Sequence, residues 1–185
     1  MKSRNFILFV ALTAMTLGLF LADLAWGSIH ISLREIMAIF TGNATDSINS
    51  EILLNFRLPK AITAILAGAS LSVAGLMMQT LFRNPLADPF ILGVSSGASL
   101  GVALITMASA SLPLMLVNSG WAMILAAVIG AAFVLLLVVG VSFRIQNAVS
   151  LLIVGIMFGT IAGSIVSVLQ NFSNPDAIKL FVMWT

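Results

Sequence analysis

The sequence contains no cysteine, a single histidine and few charges, with Asp, Glu, Lys and Arg together making up only 8% of 185 residues. Without cysteine there is neither a disulfide framework nor a thiolate metal site. His30 has no second histidine with which to share a metal, so no metal site is expected. There is no G-x-x-x-x-G-K-[ST] phosphate loop, no nucleophile paired with a base and no pair of carboxylates within an apolar run. The chain is therefore not read as an enzyme, no catalytic residue is assigned and no cofactor is expected. The eight Lys and Arg are scattered and the formal net charge is +2, which gives no basic footprint for nucleic acid.

What is present is apolar: 61% of the residues are hydrophobic, more than a soluble core of this size can hide. The fold class that follows is all-α, a polytopic transmembrane helix bundle of about five spans. They are placed at residues 5–26, 61–82, 90–108, 119–142 and 150–170. The first has a basic start and an apolar run, as a secretory signal also does, but an uncleaved helix is the commoner case when more spans follow. Asp23 and Trp26 mark its far interface. Residues 27–60 read as an extramembrane loop with a small amphipathic surface helix over 32–40.

The decapeptide LFRNPLADPF, residues 81–90, stops one helix and starts another. Arg83 suits the C-terminal end of a helix dipole, Pro85 forbids continuation, and Asp88-Pro89 reads as N-cap followed by first helical residue. The next fifty-five residues, 89–143, contain no Asp, Glu, Lys or Arg, and the polar stretch around Pro113 divides them into two spans. Arg144, Gln146 and Asn147 close the fourth span. After the fifth, residues 171–185 begin as an extramembrane loop and end on apolar residues. Five spans place Lys2, Arg4, Arg83 and Arg144 on one side and Arg34, Arg57, Lys60 and Lys179 on the other, a tie that leaves orientation open.

Two helices carry glycine at every fourth position: Gly93, Gly97 and Gly101, then Gly155, Gly159 and Gly163. Each stripe permits close helix packing, or alternatively exposes backbone to a pathway. Ser95, Ser96 and Ser99 make the third span too polar to face lipid all round. No acid, base or histidine lies in the middle of spans two to five, which argues against a proton-coupled secondary transporter. Any uphill work would need a partner to supply energy. Arg57 and Lys60, before the second span, are either interfacial anchors or a docking point for an acidic partner.

The run RLPKAITAILAGASLSVAGLMMQTLFRNPLADPFILGVSSGASLG, residues 57–101, closely resembles the signature region of the FecCD family. These are the permease subunits of iron-siderophore, haem and vitamin B12 ATP-binding-cassette importers. The motifs are R-x-P-[RK], G-A-x-L-x-x-x-G-x-x-x-Q with Gly68 and Gly75 read as helix-packing positions, R-N-P-L-A-x-P over Arg83, Asn84, Pro85, Asp88 and Pro89, and L-G-x-x-x-G-A. A looser match covers essentially the whole chain. The resemblance implies a multi-pass permease of the cytoplasmic (inner) membrane that moves an iron chelate, haem or cobalamin by alternating access. It implies pairing with a second permease subunit, as homodimer or heterodimer, with cytoplasmic ATPase subunits and with an extracytoplasmic substrate-binding protein. The N-terminus would be cytoplasmic, the 83–89 turn would face the cytoplasm, and Arg57 and Lys60 would face outward to receive a glutamate. Lys60 stands where the family has arginine, which keeps the charge and loses the bidentate fork.

The resemblance also implies that the fifth helix lines the pathway, with a gate in the turn before it near Asn147, Ala148 and Val149. Thr160, Ser164 and Ser167 then either face the cavity or pack with back-bonded hydroxyls. Family members have ten spans, and their second half carries the helix that contacts the ATPase. Residues 1–185 correspond to the N-terminal half, read as a fragment, a truncated gene or one of two complementary polypeptides. The alternatives to a transport role are a membrane scaffold or assembly subunit and, more remotely, a secondary transporter.

Overall fold

A computed structural model describes residues 2–43, 47–107, 120–145 and 147–185, and these contain helices and turns but no strand. They divide into two compact units, Met1–Ser72 and Val73–Thr185, with the boundary inside one long helix.

In the first unit, α1 (Lys2–Ala25) exposes apolar side chains almost all round, the pattern of a helix that crosses a membrane. Its C-terminal end carries the unit's core. α2 (Leu33–Phe40) is capped by Ser32, whose Oγ accepts the Glu35 N–H at 3.3 Å. Glu35 would complete a capping box but accepts instead from Asn49 Nδ2 at 2.7 Å, which ties α2 to the segment ahead. Ile36 and Ile39, on the apolar face of α2, close on Leu24, Ala25, Ile31, Leu53 and Ala61.

The 27–60 loop expected from sequence ends early. α3 (Ser47–Glu51) continues through a π-helical turn, Ile52–Arg57, into α4 (Leu58–Phe82), so residues Ile48–Phe82 form one apolar helix of 35 residues. Glu51, Asn55 and Arg57 suggest a loop, but Leu53 among them is fully buried against α1 and α2. Packing of this kind orders a segment that propensity alone would not. Pro59 accounts for the π turn, since it lacks an N–H and its ring would strike the carbonyl four residues back. The wider turn, in which Leu58 N–H bonds Leu53 O, carries the helix past the proline.

In the second unit α4 ends in a Schellman motif: Arg83 N–H bonds Thr80 O at 3.3 Å and Asn84 N–H bonds Gln79 O at 3.1 Å. Arg83 occupies the left-handed position that glycine normally fills, with φ of 48°. Arg83→Gly is therefore expected to stabilise the protein by about 1 kcal/mol, read as a rise in the thermal midpoint in detergent. An unchanged or lower midpoint would mean that the arginine side chain makes contacts that offset its backbone strain.

Asp88 and Pro89 do start a helix, with Asp88 Oδ1 accepting the Phe90 N–H at 2.8 Å, but it is one 3-10 turn, Pro89–Leu92. Gly93 ends that turn at φ of 76°, and only then does α5 (Val94–Met107) begin. The expected third span, 90–108, is thus broken at Gly93. Its regular part begins at Val94 and is described as far as Met107. Among the described residues four helices are long and apolar enough to cross a membrane, with α5 as a shorter fifth. The divider around Pro113 and Gln146 lie outside the described residues.

α6 (Gly120–Ser142) and α7 (Ala148–Phe172) follow. α7 starts ahead of the expected 150 because Asn147 Oδ1 accepts the Val149 N–H at 2.9 Å and caps it. The tail expected to open as a loop is mostly helix: Asn174 Oδ1 accepts the Ala177 N–H at 2.9 Å, Pro175 takes the first position, and α8 runs Pro175–Trp184. Phe181 of α8 is buried with Val102, Ala103 and Val166. α5 consequently packs against α6, α7 and α8, with Ser96 and Ser99 half-buried and Ser95 exposed.

Candidate functional site

Arg57 and Lys60 are adjacent in the signature but differ in what they do. Arg57 Nη1 donates to Leu24 O at 2.8 Å and Nη2 donates to Ile29 O, so the half-buried guanidinium braces the turn after α1. A cation there also suits the carbonyl end of α1. A Cβ on Gly27 would lie 2.7 Å from Arg57 Nη2, so the glycine gives the guanidinium its room. Lys60 is exposed and lines a cavity of about 390 Å³ together with Asp23, Trp26 and Arg57. Of the two cations, Lys60 is the one placed to meet a partner without first giving up a bond.

The 83–89 turn is held rather than loose. Asn84 Oδ1 accepts the Leu86 N–H at 2.9 Å, and Ala87 is buried with Met78, Phe82, Leu92 and Val138. Arg83, Asn84, Pro85 and Asp88 remain exposed and Pro89 is half-buried.

The two glycine stripes divide in a way that spacing alone does not show. Gly97 and Gly101 meet α6: a Cβ on Gly97 would lie 2.5 Å from Gly130 O, and one on Gly101 would lie 2.0 Å from Ala126 O. Gly93 lies in the turn before α5 and faces α7, where its Cβ would be 2.9 Å from both Gly155 O and Gly159 N. Gly155 in turn faces Leu92, its Cβ 2.8 Å from the Leu92 Cα. Gly163 meets nothing within 4 Å, and neither do Gly68 and Gly75. The packing role read for these three from the sequence therefore has no counterpart among the described contacts. For Gly163 the reason is geometric, because each step of four residues turns about 40° further round a helix. Two steps carry Gly163 off the buried face that Gly155 and Gly159 share.

α7 has two faces as a result. Gly155, Gly159, Ala162 and Val166 are buried, whereas Thr160, Gly163, Ser164 and Ser167 are exposed on the other side. Thr160 Oγ1 donates to Ile156 O at 2.8 Å, Ser164 Oγ to Thr160 O at 2.9 Å and Ser167 Oγ to Gly163 O at 3.0 Å. With its hydrogen donated to the helix, each hydroxyl presents acceptor lone pairs and no free donor. At the start of this helix, Asn147 is the cap, Ala148 and Val149 form the first turn, and all three are exposed.

Sequence reasoning passed over Ala126 and Gly130, the α6 half of the tightest helix crossing. The signal was available as A-x-x-x-G, small residues four apart, but an isolated pair is weak beside a run of three glycines.

Against known proteins, a family model described as the FecCD transport family matches residues 14–185. The hemin transport system permease protein HmuU of Yersinia pestis is 36% identical over 160 residues, which is 86% of this chain and 46% of the relative. A probable iron chelatin transport system permease protein of Helicobacter pylori is 36% identical over 169 residues, 87% of this chain and 49% of the relative. The vitamin B12 import system permease protein BtuC of Salmonella newport is 34% identical over 129 residues, 69% of this chain and 38% of the relative. A solved structure titled as an inward-facing conformation of a metal-chelate type ABC transporter superposes with a TM-score of 0.75 at 26% identity. The superposition covers 97% of this chain and 52% of that one. The chain thus spans about half the length of the relatives it matches.

Proposed function

The chain belongs to the FecCD transport family, and from that premise we propose that it forms the N-terminal part of a permease in an ATP-binding-cassette importer for haem, an iron chelate or cobalamin. The observation that carries this reading is the 36% identity with a hemin permease across 86% of the chain. In the proposed mechanism the permease supplies the pathway, a separate cytoplasmic subunit hydrolyses ATP, and an extracytoplasmic binding protein delivers the substrate. A second permease subunit completes the pathway, in the inner membrane, with the N-terminus of α1 in the cytoplasm.

Within that scheme the exposed hydroxyl face of α7 lines the pathway. Its acceptor-only hydroxyls are weak ligands, which suits a surface that a chelate must leave as readily as it enters. Asn147, Ala148 and Val149 at the start of α7 form the constriction. On the outer side Lys60 receives a carboxylate of the binding protein, while Arg57 holds the turn that positions it.

Docking is tested with the importer that contains this chain and its binding protein, comparing Lys60→Glu, Arg57→Lys and wild type by surface-immobilised binding. Lys60→Glu is expected to weaken binding at least tenfold, since reversing a cation beside a carboxylate replaces attraction with repulsion. Arg57→Lys is expected to weaken it less and to lower the thermal midpoint, because lysine keeps the charge but cannot span two carbonyls. Unchanged binding in Lys60→Glu would overturn the docking role.

A further inference from the structure

We propose that Pro59 is a positioning residue: by holding the π turn open it sets the rotation of the outer end of α4, so that residues before and after the turn face α1 and α2 together. Four residues spaced four apart lie on that inner side. Asn49 Nδ2 donates to Glu35 Oε1 at 2.7 Å, and Leu53 is fully buried. Arg57 donates to Leu24 O and Ile29 O, and Ala61 is buried in the same core as Leu53.

A regular α-helix cannot keep such a series on one side. Each step of four residues turns about 40° round the axis, so an unbroken helix would set Asn49 about 120° and Leu53 about 80° away from Ala61. Either the bond to Glu35 and the burial of Leu53, or the bonds of Arg57 and the burial of Ala61, would then be lost. The π turn, Ile52–Arg57, takes up one extra residue, which is about 100° of rotation. With that residue absorbed, Asn49 and Leu53 each come within about 20° of Ala61. The contacts on the two sides of the turn are compatible only through it.

The proline keeps the extra residue in place. In an unbroken α-helix the Pro59 ring would meet the Asn55 carbonyl and leave it without a donor, whereas here Leu58 N–H bonds Leu53 O. The R-L-P-K segment accordingly works as one unit. Pro59 imposes the turn, Arg57 ties its last residue to the end of α1, and the rotation so fixed sets the direction of Lys60. The bearing on Lys60 rests on the docking role proposed above; the rotation itself does not.

The experiment uses the importer that contains this chain, with a single cysteine in place of Leu53 or of Ala61, since residues 1–185 have none of their own, and the unsubstituted importer as the blank. Both thiols are expected to be shielded from N-ethylmaleimide. Pro59→Ala lets the turn close into an α-helix, and one of the two sites should then react at least about tenfold faster. Deleting the exposed Asn55 in the same variant removes the extra residue, returns positions 53 and 61 to one side of a regular helix and should restore shielding at both. Affinity for the binding protein should fall about fivefold in Pro59→Ala and recover with the deletion. Unchanged labelling at both sites in Pro59→Ala would overturn the proposal, because the contacts alone would then hold the turn. A loss of shielding that the deletion does not reverse would also overturn it, because the proline and not the rotation would be what matters. Constant affinity with labelling that follows the rotation would support the turn and overturn the docking role.

Discussion

Gly101→Ala and Gly130→Ala are each expected to cost about 3 kcal/mol or more, roughly a hundredfold in the ratio of folded to unfolded protein. The added methyl has nowhere to go. At Gly101 it would stand 2.0 Å from Ala126 O, and at Gly130 it would stand 2.2 Å from Gly97 O. Overpacking against a side chain costs about 1–3 kcal/mol because the side chain can turn aside. Here the struck atoms are backbone carbonyls of helices, so α5 and α6 can respond only by separating along their length. In apolar surroundings helix association rests on close van der Waals contact, and separation forfeits it across the whole crossing. The check is the monodisperse fraction in fluorescence-detected chromatography of membrane extracts, with Gly163→Ala and Gly68→Ala as controls. Both controls place the methyl in open space and, since alanine favours helix over glycine by roughly 1 kcal/mol, should be neutral or stabilising. If Gly101→Ala behaved like Gly163→Ala, α5 and α6 would not cross as described.

That contrast shows what the sequence could and could not disclose. The helical class was legible because runs of apolar residues without charge admit few other readings, and the caps at Asp88 and Pro89 were legible because their chemistry is local. The same chemistry stands at Asn174, Pro175 and Asp176, yet residues 171–185 read as a loop that ends on apolar residues, because the apolar run there is too short to register as a span. The helix through residues 47–57 was hidden by polar residues at 51, 55 and 57, and what orders it is the burial of Leu53 by helices distant in sequence. Arg57 illustrates the limit most sharply. Its partners are two backbone carbonyls, of Leu24 and Ile29, and no residue type in a sequence announces an available carbonyl. The stripe of Gly155, Gly159 and Gly163 shows a subtler failure, because even spacing in sequence is not a constant face on a helix of 3.6 residues per turn.

At Gly93 two independent reasons require glycine, and they can be separated. The residue has φ of 76°, where a β-carbon is strained, and its Cβ would fall 2.9 Å from Gly155 O and Gly159 N on α7. Asparagine tolerates the left-handed region far better than alanine does, so the strain alone would leave Gly93→Asn close to wild type and Gly93→Ala destabilised by about 1–2 kcal/mol. The approach to α7 reverses that order, since asparagine brings more atoms than alanine to a gap that cannot hold one. Both variants are therefore expected to lose stability by about 3 kcal/mol or more, with Gly93→Asn the worse. The readout is the thermal midpoint in detergent together with the monodisperse fraction. Rescue by asparagine would mean that only the backbone angle matters and that α7 does not bear on the turn. Failure of both means that the turn before α5 is clamped to α7 at Gly155 and Gly159, and that the close approach of the two backbones, not the dihedral angle alone, is what excludes a side chain.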